Sequence, residues 1–111
     1  MKINIRNVNQ VTILEPKGKI TIGVGDVALR DAIHGALEAG STKLLLNLAG
    51  VSVIDSSGVG ELVSAYTTCT NRGAKLKLLS LPPKVVDILQ ITQLITVFET
   101  FEDENEAIES F

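Results

Sequence analysis

The chain has one cysteine, one histidine and no tryptophan in 111 residues. Cys69 alone cannot form an internal disulfide, which agrees with a reducing compartment. With His34 as the lone imidazole there is no metal-ligating cluster of Cys/His spacing, and no metal is expected. Long apolar runs are also missing. The longest, "LLLNLAGVSVI", is too short and too polar to span a bilayer, and "MKINIRNV" lacks the basic, apolar, small-residue order of an export signal. The expectation is a cytoplasmic protein without direct membrane insertion. Aromatics are scarce, and Tyr66, Phe98, Phe101 and Phe111 are not interleaved with basic residues, which argues against direct nucleic-acid binding. No G-x-S-x-G elbow surrounds a serine and no lysine follows a glycine-rich turn as a phosphate loop requires. The residues therefore support neither an enzyme nor a cofactor.

What is present fits one globular domain over residues 1–111: 45% hydrophobic residues and a net charge of −3. Charge is unevenly placed. Six of the thirteen acids fall between Glu99 and Glu109 with no base among them, leaving seven acids against ten bases in residues 1–98. The acidic segment carries Ala107, Ile108 and Phe111 as a narrow apolar stripe, so it reads as a helix with a solvated acidic face.

"INIRNV" (3–8) and "VTILEPKG" (11–18) alternate apolar and polar residues around the short Asn9-Gln10 loop, predicting an antiparallel hairpin. Asp26 is placed to cap a helix whose inward face is Leu29, Ile33, Ala36 and Leu37, with Gly40 as its stop. "KLLLNLA" (43–49) reads as a strand covered on both faces. A second helix is predicted from about Ser57 to Arg72, with Leu62, Val63, Tyr66 and Cys69 inward and Gly73 ending it. "KLKLLSL" (75–81) is a strand. Pro82 and Pro83 suit the first turn of a third helix carrying Val85, Val86, Ile88 and Leu89. "TVFET" (96–100) is a last short strand before the terminal helix. This order predicts an α/β fold: a mixed sheet of about five strands packed with about four helices. His34 falls on a polar face with Arg30 and Glu38 and reads as a solvated residue, and Cys69 falls on an inward stripe and reads as a small core residue.

"VIDSSGVGEL" (53–62) stands at the strand-to-helix junction, where sites form in open sheets of this type. Asp55 or Ser56 is suited to cap the helix. Gly58 and Gly60 each cost about 0.8–1 kcal/mol relative to alanine there, so something must offset them. One reading is structural: Gly58 relieves a turn and Gly60 lets helix and sheet approach. The other is functional: the glycines leave a serine hydroxyl uncovered for another protein's active site.

The run from "LLLNLAG" to "ENEAI", with its D-S-S-G-V-G block, resembles the STAS domain of bacterial anti-sigma factor antagonists; the hairpin and "PKGKIT" match more loosely. The resemblance implies that the second serine of the block, Ser57, is phosphorylated by a partner serine kinase that is also the anti-sigma factor. A metal-dependent serine phosphatase reverses it. Asp55, Ser56, Gly58 and Gly60 then surround the phosphosite, with Ser56 serving the helix start and Ser57 kept accessible. A phosphate there adds about −1.5 to −2 charges at pH 7 and is expected to rest on the helix N-terminus. Two positions depart from the family pattern, Thr21 and Asn47 standing where aspartates are usual. Thr21 and its loop, with Gly23 and Gly25 as turn glycines, are expected to flank Ser57 and join the partner-binding face. Use of the same domain in a different circuit, or as a regulatory subunit of a membrane lipid or anion transporter, is the alternative. A monomer or weak homodimer is expected.

Overall fold

A computed structural model describes all of residues 1–111. The predicted hairpin forms: β1 (Lys2–Val8) pairs antiparallel with β2 (Val11–Ile20), and Asn9 and Gln10 both take positive φ, 50° and 69°, as a tight two-residue turn demands. Then follow α1 (Gly25–Glu38), β3 (Lys43–Asn47), β4 (Val51–Ile54), α2 (Ser56–Asn71), β5 (Lys75–Leu79), α3 (Pro83–Ile91), β6 (Thr100–Phe101) and α4 (Glu104–Glu109). The sheet order is β1-β2-β3-β5-β6, with β4 beside the far end of β2; every pairing except the hairpin is parallel.

The α/β class and four helices agree with the sequence reading, whereas the strands number six. The added strand is β4. After β3 the chain turns at Ala49-Gly50, where Val51 N–H donates to the Leu48 carbonyl, and resumes along the last residues of β2 with a register shift between Gly18 and Lys19. What reads as one apolar run is thus a strand path broken by a turn. The last strand also moves. Residues 96–98 form a turn that buries Phe98 edge-on against Tyr66 at 5.5 Å, so pairing with β5 begins only at Thr100. β5 itself stops at Leu79, because Ser80 turns away with φ of 56°.

Asp26 does not cap α1. Its N–H and that of Val24 both donate to the Thr21 carbonyl at 3.3 Å, so backbone turns the chain into a helix that starts at Gly25. Gly25 is required by approach, not by turn geometry: a Cβ there would stand 2.0 Å from the Lys19 carbonyl oxygen. Gly23, at φ of 80°, is the turn glycine.

Side chains alternate across the sheet. Leu14, Leu46 and Leu78 are in register and meet Leu29, Ile33, Leu62 and Cys69 beneath α1 and α2. Burial pushes the Cys69 thiol up, away from reactive thiolate. Ile13, Leu45 and Leu79 face the other way and are covered by Ala107 and Ile108 of α4. The acidic helix is therefore fastened to the sheet. Glu104 accepts from Arg6, which also pairs with Glu15 at 3.1 Å. Arg6 is the chief reason that Glu15 lies below the ordinary carboxylate range. Buried Lys77 donates to the Ser110 carbonyl at 2.8 Å, pairs with Glu99 at 3.0 Å and sits over the Phe111 ring. No helix is long and apolar enough to cross a membrane.

Candidate functional site

Asp55 begins the site. It is the N-cap of α2, with its Oδ1 accepting from Gly58 N–H at 2.9 Å, while its Oδ2 accepts from Ile22 N–H at 3.1 Å. One carboxylate thereby ties the start of α2 to the loop between β2 and α1. The bonds from Gly58 and Ile22, in that order, hold the Asp55 carboxyl below its ordinary range. A second bond, from Asp55 N–H to the Ile20 carbonyl at 3.3 Å, fixes the same junction through the backbone.

The two serines occupy the first and second helical positions. Asp55 makes the side-chain cap, so the helix start has no need of the Ser56 hydroxyl. The expected asymmetry is reversed in exposure: Ser56 is exposed and Ser57 half-buried. The glycines also exchange the roles the sequence suggests. A Cβ on Gly58 would meet the Ile20 carbonyl oxygen at 2.3 Å and Ile54 Cγ1 at 2.7 Å, so Gly58 is what lets α2 lie on the sheet end. Gly60 meets nothing within 4 Å and leaves a bare helix surface. Of the N–H groups at this helix start, that of Gly58 already serves Asp55.

Thr21 and Gly23 lie in the loop that Asp55 holds beside the start of α2. Asn47 does not join them. It donates to Glu15 at 3.1 Å and accepts from Ala49 N–H at 3.0 Å, on the sheet face covered by α4. The sequence reading missed the apolar side chains of this region: Ile22 is 72% exposed, Val24 58% and Val27 41%. Their signal was present in "ITIGVGDV", apolar residues separated by glycines and so unable to share one buried face. It also missed the ion pair between Arg30 of α1 and buried Glu61 of α2, at 3.0 Å. The two surface grooves, one beside Tyr66 and Thr96 and the other between Ile5 and Ala32, are built from other residues.

A family model described as STAS domain matches residues 2–107. The chain belongs to the STAS domain family. A relative from Thermotoga neapolitana, described as a candidate anti-sigma factor antagonist, is 28% identical over 102 residues, 92% of this STAS chain and 90% of the relative. The crystal structure of a candidate anti-sigma factor antagonist from Thermotoga maritima superposes with a TM-score of 0.88 at 26% identity, covering 97% of this chain and 92% of that one. SpoIIAA of Bacillus in its phosphorylated form has a TM-score of 0.75 at 22% identity over 98% of both chains, which establishes a shared STAS fold.

Proposed function

We propose that this STAS domain is an anti-sigma factor antagonist whose unphosphorylated form binds an anti-sigma factor serine kinase and so releases a sigma factor. Phosphorylation of Ser57 abolishes that binding, and a metal-dependent serine phosphatase restores it. The observation that carries this reading is the pair of hydrogen bonds that the Asp55 carboxylate accepts from Gly58 and Ile22, which joins the helix start carrying Ser57 and Gly60 to the loop carrying the exposed Ile22 and Val24. An apolar rim around a neutral hydroxyl suits a protein partner, and a dianion introduced beside it must be desolvated when that partner docks. A tenfold loss of affinity needs only about 1.4 kcal/mol. The names of the Thermotoga relative and the phosphorylated form of SpoIIAA support the same reading.

A pull-down with wild-type, Ser57→Ala and Ser57→Asp baits tests it, each recovered partner then being incubated with ATP and wild-type chain. Wild type and alanine are expected to recover a protein that phosphorylates Ser57, and aspartate to recover none. Recovery of the same proteins by all three baits, or ATP-dependent labelling at Ser56, overturns the proposal.

A further inference from the structure

With the Gly58 N–H taken by Asp55, the helix start offers a phosphate on Ser57 fewer N–H donors and only a partial charge, so a full counter-charge must come from a side chain. β2 and β4 run parallel, as do β3 and β5, so α1 and α2 both return antiparallel to the strands and lie side by side in one direction. Arg30 is the sixth residue of α1 and Glu61 the sixth of α2. Their side chains join across the helix pair: Arg30 Nε donates to both Glu61 carboxylate oxygens at 3.3 Å, and Nη2 to Oε2 at 3.0 Å.

Ser57 lies four residues before Glu61 and therefore shares its helix face, with Cβ atoms about 6 Å apart. Long side chains on a helix lean toward its N-terminus, which carries the Arg30 and Glu61 head groups over the turn that holds Ser57. Glu61 is only 7% exposed, whereas the Arg30 side chain is 48% exposed and has room to turn. Asp26 stands four residues before Arg30, buried, its carboxylate accepting from Val27 N–H. The charged groups that act on Arg30 are Glu61 from α2 and Asp26 and Asp31 from α1, and Asp55 caps the turn that holds Ser57. Arg30 is the cation that the Glu61 pair brings to this helix face.

We propose that Arg30 is the residue that receives the phosphate. On phosphorylation of Ser57 the guanidinium turns from Glu61 to the phosphoserine, whose oxygens match its planar fork. Glu61 and Asp26 oppose the transfer by favouring the guanidinium where it is, so the pair sets how firmly the phosphate is held over the α1–α2 groove. This inference rests on Ser57 being the phosphoacceptor, and its test needs neither kinase nor partner.

The full chain is made with phosphoserine installed at position 57 during synthesis, and its second ionisation is followed by phosphorus NMR. In the wild-type background the phosphoserine is expected to titrate below the ordinary value of about 6. Arg30→Gln should raise that midpoint by about one unit. Glu61→Gln should lower it in the wild-type background and move it far less when combined with Arg30→Gln. The Arg30 Nε–H resonance of the otherwise unaltered chain should follow the phosphate titration, a readout that needs no substitution to fold. Identical titration of wild type and Arg30→Gln, with a stationary Arg30 resonance, overturns the assignment. Partner binding is a separate measurement. If phosphoserine leaves partner affinity unchanged while the Arg30 effect is present, the switch fails and the phosphate contact stands; the reverse pattern removes Arg30 alone.

Discussion

Gly58 and Gly60 stand two residues apart in one helix and answer to different demands. Gly58 has backbone against it, so Gly58→Ala should destabilise the fold by about 1–3 kcal/mol through overpacking against Ile20 and Ile54. Gly60 has open space, so Gly60→Ala should stabilise by about 0.5–1 kcal/mol. Denaturant unfolding of both variants checks the pair of signs. Gly60→Ala should also weaken partner recovery despite its greater stability, because a glycine kept at an energetic cost on an exposed helix face is explained by what docks there. Unchanged recovery would show that its bare surface is unused. Both glycines are conspicuous in the sequence, but which one the packing requires depends on Ile20, thirty-eight residues before Gly58, and no local pattern reports that. The serines are similar. Two hydroxyls at a helix start are legible as a motif and Asp55 as one of two candidate caps, whereas the second bond of Asp55, from the Ile22 N–H of the β2–α1 loop, is not.

Between elements, the same Asp55 carboxylate is both helix cap and loop anchor. Asp55→Asn keeps an oxygen that can accept from Gly58 N–H, but its amide nitrogen cannot accept from Ile22 N–H. The substitution should therefore release the β2–α1 loop while sparing α2. Because the folded-state pKa of Asp55 is lowered, its stabilising effect is complete above the ordinary aspartate range and is lost as pH falls through the folded value. The thermal midpoint of wild type should exceed that of Asp55→Asn above about pH 5, and the gap should begin to narrow below about pH 4 and close only as the pH passes the lowered folded value. A gap that persists at acid pH would show that the carboxylate charge is not its source. Elements with strong periodicity, the hairpin and α1 to α3, were readable because each buries a regular face. β4 and β6 were not. Four residues after a turn and two residues against β5 become strands only through pairing partners distant in the chain. The start of α1 was misplaced for a related reason, since the Thr21 carbonyl, not an aspartate side chain, turns the chain there.

Across the whole molecule, the sheet divides the chain into two separately built faces. One carries α1 and α2, whose N-termini lie at the same end and are joined there through Asp55; the other is closed by α4 through Arg6, Glu104 and Lys77. The proposed switch needs no exchange between these faces. A phosphate at the α1–α2 end changes charge where a partner would dock and leaves the core as it is, so regulation is expected at the interface and not in the stability of the fold. In the proposed switch the phosphorylation state of Ser57 decides partner binding. Calorimetric titration of the recovered kinase partner with unmodified chain and with chain carrying phosphoserine at position 57 measures this directly. Affinity is expected to be at least about tenfold weaker for the phosphorylated chain, a loss of about 1.4 kcal/mol or more. Equal affinities of the two forms would contradict it.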